Sequence, residues 1–218
     1  MTTLDIQKAL KRHGFDPGPI DGEHRPSVDT AIIRFKRSRG LRARPFVGPI
    51  TTKALKAGDP KYKQPWLIEA GNHMGLSEIP GKRHNPTILR WIKGLGGWFT
   101  DDETPWCGTF VGHCLRESGL EVPRHWYRAK AYLEWGVVTK PCVGAIIVFG
   151  RKGGGHVGFV VGESSDNYYV LGGNQRNQVN ITPIAKGRYL GCRWPKGVDN
   201  PKAKLPKMSG GRRTTNEA

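Results

Sequence analysis

The chain has 218 residues, room for one medium domain or for a small domain followed by a medium one. A hydrophobic fraction of 37 % with seven Trp and seven Phe argues against a disordered chain, and 30 Gly with 16 Pro argue against a helical bundle. A net charge of +17 favours polyanionic partners, whether nucleic acid, anionic membrane or wall polymer, without choosing among them.

Leu4, Ile6, Ala9 and Leu10 predict a short amphipathic helix ending near His13-Gly14, with the glycine as left-handed cap. The stretch from Asp16 to Gly22 is dense in turn residues. Ser27 is placed to cap a second helix, in which Val28, Ala31, Ile32 and Phe35 recur at helical spacing and which Gly40 closes. Thr51 is placed to cap a third, short helix through Leu55. With the GPIDG turn, SVDTAIIRFKRSRGL and the closing VGPITTKAL in that order, residues 3–57 resemble the three-helix peptidoglycan-binding domain. The resemblance implies binding to cell-wall glycopeptide without catalysis.

A polar stretch rich in breakers follows, and residues 59–65 read as a linker between a domain at 1–58 and a larger one at 66–195. Leu67, Ala70, Met74 and Gly75 suggest a helix ending in glycine. Asn85-Pro86 starts another, with Ile88, Leu89 and Ile92 inward, and Gly94 to Gly97 breaks it. A further helix is expected over 104–119. AIIVF (145–149), VGFVV (157–161) and YYVL (168–171) are short β-rich runs between Gly or Asp/Asn turns. Helices first and strands later make the fold class α+β, built on an antiparallel sheet. The basic residues 196–218 read as a disordered tail.

The four cysteines are Cys107, Cys114, Cys142 and Cys192, with no CxxC pair and so no spacing for a zinc site. Cys107 follows Thr104-Pro105-Trp106. Thr is a good N-cap and Pro suits the first helical position, which puts Cys107 in the first turn. Unpaired N–H groups and the positive end of the helix dipole favour a thiolate there. Cys114 lies on the apolar stripe Phe110, Val111, Cys114, Leu115 and reads as a core residue. Cys142 in a turn and Cys192 in a late strand have no helix start ahead of them.

A thiolate nucleophile needs a histidine to take and return a proton. His13, His24, His73 and His84 lie at helix ends or in polar loops, His113 points away from Cys107 along the same helix, and His125 sits in a Pro-Arg-His-Trp loop. His156 follows three glycines and opens the strand HVGFVV, where small residues leave room for a substrate. Asn174 ends the next strand run, and an antiparallel neighbour would bring it back beside the imidazole. Taken alone, Asn in GGNQ reads equally well as a turn residue.

PWCGTFV, then GHVGFVVGE, then VLGGNQ resemble in type and order the cysteine, histidine-dependent amidohydrolase/peptidase (CHAP) family, in particular its phage and prophage wall hydrolases. The upstream PWLIEAGNHMGLSEIPGKRHNPTILRWIK resembles that subgroup's lead-in. The resemblance implies a papain-like α+β domain with Cys107 as nucleophile, His156 as general base and acid, and Asn174 as the residue that orients the ring. Trp106 and Gln175, their neighbours in the motifs, are assigned to substrate binding. Many relatives carry a Glu two residues before the Asn, where this chain has Gly172. Asp101, Asp102 and Glu103 precede the nucleophile helix. Acids bind calcium there in some relatives, but pairing with the helix N-terminus is the reading taken, so no metal and no cofactor are expected.

The combined expectation is an endolysin-type enzyme that cuts amide bonds in the peptide part of peptidoglycan, an endopeptidase ahead of an N-acetylmuramoyl-L-alanine amidase. No early segment is apolar enough for a signal peptide. A soluble monomer made in a host cytoplasm is therefore expected, acting on the wall in the periplasm or outside, with a pore-forming lysis partner or a tail-borne route for passage. The rivals are a non-catalytic wall-binding protein and a basic nucleic-acid-binding protein. The second lacks any recognition helix or aromatic-basic strand motif.

Overall fold

The computed structural model describes residues 1–13, 15–56, 64–81 and 83–211. They divide into two compact units, Met1–Met74 and Gly75–Ala218. The glycine cap expected at Gly14 and most of the stretch expected as linker lie outside the described residues.

In the first unit α1 (Thr3–Arg12), α2 (Pro26–Ser38) and α3 (Pro49–Lys56) enclose a core of Ala9, Leu10, Phe15, Val28, Ala31, Ile32, Phe35 and Leu55. Thr2 and Asp5 form a reciprocal capping box at the start of α1. Two of the expected caps are corrected. Helix α2 starts at Pro26 and α3 at Pro49, because proline's fixed φ and missing N–H suit the first helical position. Ser27 Oγ instead donates to Pro17 O at 2.8 Å. Thr51 lies inside α3. The turn at 21–23 is held by buried Gln7, which receives the Gly22 N–H at 2.7 Å and donates to Glu23 O at 2.9 Å. Helix α4 (Pro65–Asn72) clusters with this unit rather than with the second.

The second unit is α+β. Helices α5 (Pro86–Gly94) and α6 (Cys107–Glu117) precede six strands: β1 (Val137–Val138), β2 (Ile146–Arg151), β3 (Gly154–Glu163), β4 (Asn167–Gly172), β5 (Asn180–Ala185) and β6 (Tyr189–Trp194). They form one sheet in the order β1-β6-β2-β3-β4-β5, with every pairing antiparallel. Central strands β2 and β3 are buried along most of their length, which is why they read as continuous apolar runs without alternation. The buried stripe of α6 packs on β3, with the Phe110 and Phe159 rings 6.2 Å apart. Strand β5 carries Pro183, which only an edge strand accommodates, and its short mixed run gives no strand signal in the sequence.

Residues 196–211 take an ordered path where the composition suggests a disordered tail. Glu163 N–H donates to Pro206 O at 3.0 Å, Met208 N–H to Glu163 O at 2.8 Å, and Tyr169 Oη to Gly210 O at 2.7 Å. Glu163 also meets Lys207 at 3.0 Å and Lys186 at 2.8 Å. Backbone hydrogen bonds along a strand end order a segment that has few apolar residues of its own.

The loops before α6 are tied by one carboxylate. Asp102, buried, accepts from Ile79 N–H at 3.1 Å and Asn85 N–H at 2.7 Å, and its Oδ1 lies 2.9 Å from His84 Nδ1. Burial acts to raise its pKa, but the two backbone donors and then His84 outweigh burial and hold the carboxyl below its ordinary value. A depressed native pKa stabilises the fold above the ordinary carboxylate range and ceases to do so as pH falls through the native value. Asp102→Ala is expected to cost about 2–4 kcal/mol at neutral pH by leaving buried donors unsatisfied. Urea titrations at pH 7 and pH 3 check this, with the gap between variant and parent shrinking at the lower pH.

Candidate active site

Cys107 is the first residue of α6, with Trp106 as N-cap. The sequence placed the cap at Thr104 and Cys107 two positions further in. The difference arises because Asp101 Oδ1 takes the Thr104 N–H at 2.6 Å and closes a turn before the helix. The first helical hydrogen bond runs from Phe110 N–H to Trp106 O, so the N–H groups at 107–109 precede the helical ladder. The sulfur therefore sits where backbone dipoles favour an anion.

No two of the four cysteines are joined in a disulfide. Cys114 is fully buried on the α6 stripe, burial raises the Cys142 thiol, and burial pushes Cys192 up to about 12. Only Cys107 combines a helix start with a site at the end of the strand pair.

His156 is fully buried in β3, paired with Phe149 of β2. Its Nε2 lies 3.0 Å from Gln175 Oε1. The Gln175 amide cannot be turned round, because its Nε2 donates to Val170 O at 3.2 Å, Asn180 O at 2.7 Å and Asn180 Oδ1 at 2.9 Å. The imidazole must therefore carry its proton on Nε2, which leaves Nδ1 as the basic nitrogen of the neutral ring.

The sequence assigned this orienting role to Asn174. Continuing the register Phe159↔Leu171 would set 174 opposite 156, but β4 ends at Gly172 and the chain turns away. Asn174, Arg176 and Asn177 all have positive φ, of 54°, 55° and 59°. Left-handed backbone costs a non-glycine residue about 1–2 kcal/mol, so the surrounding contacts must hold this turn. Gln175 N–H donates to Gln178 O at 2.9 Å, and Asn180 Nδ2 to Gln175 O at 2.8 Å. The result is that Gln175 meets the histidine while Asn174 meets the nucleophile helix. With both ends of its amide satisfied, Asn174 donates to Glu78 Oε1 at 3.0 Å and accepts the Trp106 N–H at 3.3 Å.

Two glycines permit the close approach. A Cβ on Gly173 would come within 2.6 Å of Phe110 Cβ and of Trp106 Cζ3. One on Gly172 would lie 2.9 Å from Gln175 Oε1 and 3.2 Å from His156 Nε2. Consecutive Cα atoms are about 3.8 Å apart, so the imidazole and the tip of the Trp106 indole flank a single peptide unit. The Gln175 carboxamide also fills the space into which a longer side chain at 172 would project.

Trp106 and Gln175, expected to touch substrate, are fully buried. Trp106 Nε1 donates to Glu78 Oε1 at 2.7 Å, and the Gln175 amide is occupied as described. Both support the site from behind, which corrects the expectation. Glu78 was not singled out by the sequence, since nothing local marks it. It holds Trp106 and Asn174 together from the loop at 75–79, and burial raises its pKa. At the mouth of β3, Lys130 and Arg151 side chains pass beside Gly155 and Gly154.

An α+β domain with a cysteine at a helix start and a polarised histidine on the adjoining strand has the layout of a thiol-type amide hydrolase. Residues 99–174 match the CHAP domain, and residues 3–55 match the putative peptidoglycan binding domain. The chain thus joins a peptidoglycan-binding module to a CHAP domain, the architecture of endolysin-like wall hydrolases, and its substrate is peptidoglycan. No curated protein and no solved structure matches the chain.

Iodoacetamide at neutral pH is expected to label native protein at Cys107 and to spare Cys142 and Cys192, whose raised pKa values keep them as thiols. Peptide mapping checks the order of labelling. Gln175→Leu removes the acceptor that fixes the ring and is expected to lower kcat by about 10–100-fold with KM little changed. Wall-lysis kinetics on the folded variant test it.

Proposed function

We propose that the protein is a cysteine peptidoglycan hydrolase, in which Cys107 is the nucleophile and His156 the general base and acid. The observation that carries this reading is the 3.0 Å contact of His156 Nε2 with Gln175 Oε1. With the Gln175 oxygen accepting the Nε2–H, the Nδ1 lone pair is presented from a strand that packs against the helix opening with Cys107.

His156 Nδ1 takes the thiol proton, and the Cys107 sulfur attacks the amide carbon. The carbonyl π pair moves to oxygen, and the Cys107 N–H at the helix start is one donor to that oxyanion. As the tetrahedral species collapses, the C–N bond breaks and His156 returns its proton to the leaving amine. Water then adds to the thioester, giving its proton to His156, and the C–S bond breaks to free the acid and the thiol. Gln175 positions the base, and Asn174 positions the residue before the nucleophile.

Of the two amide bonds within reach of this chemistry, a bond inside the stem or cross-bridge is favoured over the sugar-to-stem bond. Lys130 and Arg151, whose side chains pass Gly155 and Gly154 at the start of β3, suit the carboxylates of an acidic peptide at either bond. The N-terminal module keeps the enzyme on an insoluble substrate and raises its local concentration. The protein acts as a monomer on the wall from the periplasm or from outside. It is made in the host cytoplasm and reaches the wall either through a pore-forming partner or as a tail-borne enzyme arriving from outside. Among the described residues no helix is long and apolar enough to cross a membrane.

Mass spectrometry of digested, purified peptidoglycan tests the proposal. New amino termini within stems or cross-bridges are expected, and Cys107→Ala should abolish them while leaving pull-down by sacculi intact. Release of intact stems would replace the endopeptidase reading with an amidase. Undiminished cleavage by Cys107→Ala would overturn the mechanism.

A further inference from the structure

A cluster of aromatic rings lies beside the nucleophile and plays no part in the chemistry described. Trp98 is 70 % exposed, unusually open for the largest side chain. It is nonetheless braced. Its ring stands edge-on to Tyr127 at 4.7 Å and 89°, and to Phe99 at 5.6 Å and 81°. Phe99 leans on Trp126 at 5.9 Å, and Trp126 is buried. A face of Trp98 is thus held open to solvent on a fixed support rather than on a loose loop.

The cluster is anchored at the nucleophile helix. A Cβ on Gly108, the residue after Cys107, would collide with the Trp126 carbonyl oxygen and lie 3.0 Å from Tyr127 C. The backbone at 126–127 therefore lies on the first turn of α6. Gly97, next to Trp98, approaches the same Trp126 side chain, where a Cβ would meet Cη2 at 3.0 Å. The open indole stands one side chain beyond the loop that covers the start of the Cys107 helix.

We propose that Trp98 and Tyr127 form a subsite for an N-acetylhexosamine ring of the glycan strand, with the indole face stacked on the sugar. This rests on the reading of the domain as a peptidoglycan hydrolase and extends it to a sugar contact. A pyranose presents a face of C–H bonds edged by hydroxyl and acetamido groups. An exposed aromatic face covers the first, and hydrogen-bond donors around it suit the second. Such donors are at hand. Arg128 extends over the Tyr127 ring at 5.4 Å, and the exposed His125 lies with its Nδ1 3.4 Å from Tyr127 Oη. Every stem peptide in peptidoglycan hangs from such a sugar, so an aromatic face one loop away from the start of the Cys107 helix is placed to meet the glycan while the stem lies in the site.

The seven tryptophans all fall at or after residue 66, so the matched wall-binding segment at 3–55 contributes no indole signal. The test uses the full chain carrying Cys107→Ala, titrated with the soluble N-acetylglucosaminyl-N-acetylmuramic acid disaccharide and, separately, with a sugar-free stem peptide. Tryptophan fluorescence is expected to change saturably with the disaccharide. Trp98→Ala should abolish that change, and Tyr127→Ala should weaken the apparent affinity by about tenfold. The thermal melt of Trp98→Ala should match the parent, because Trp98 is largely solvent-exposed. A second readout is lysis of sacculi by the Cys107 enzyme, which Trp98→Ala should slow and Trp98→Phe should largely restore. No response to the disaccharide, a response unchanged by Trp98→Ala, or a response to the peptide alone would overturn the subsite. These outcomes are separate from those of the product analysis, since the titration needs no turnover.

Discussion

The hydrogen bond between His156 and Gln175 is the contact on which the candidate site depends. It selects the tautomer of a buried imidazole and so decides which nitrogen is left to exchange a proton. It works only because the other end of the Gln175 amide is committed to three acceptors, which stops the amide from rotating. Those acceptors come from β4 and β5, so the pairing of two strands fixes the electronic state of a side chain on a third.

The same turn serves the helix that opens with Cys107. Adjacent residues on a left-handed stretch of backbone point to different partners, Asn174 to the N-terminus of α6 and Gln175 to the ring on β3. The register between helix and strand is thereby set by one short segment, at a cost in backbone strain that the contacts around it offset. The two nearby carboxylates show how environment divides a common chemistry. Asp102 has two backbone N–H donors and a histidine against it, and its acidity is enhanced. Glu78 meets the Trp106 indole and the Asn174 amide, and burial prevails to raise it. One anchors loops as an anion, and the other joins the site's two halves.

The division of the chain follows the problem its substrate poses. Peptidoglycan is insoluble, so a small binding module and a hydrolytic domain on one chain turn a search into a local encounter. A charge of +17 adds a general attraction to anionic wall polymers, one that weakens with salt. The geometry of the candidate site does not need that charge, since the groups forming it are buried.

Much of this was open to reading in the residue order. Apolar spacing gave α1, α2 and α3, and buried β-branched runs gave β2, β3 and β4. The sequence PWCG placed Cys107 at a helix start, and the glycines before His156 marked the beginning of a strand, although the structure buries the ring fully. Helix starts were misjudged at Ser27, Thr51 and Thr104, where prolines and an aspartate outside the expected cap won the local competition. Such signals are local and survive because backbone propensity and burial act over a few residues. The sequence by itself thus determined the fold class and singled out Cys107 and His156 as candidates. Only the tertiary structure decided that Gln175 rather than Asn174 holds the imidazole, and that Glu78, nearly a hundred residues earlier, braces the turn. Those roles arise where a strand ends and the backbone leaves its register, and nothing in residue spacing records where a side chain points after a left-handed turn.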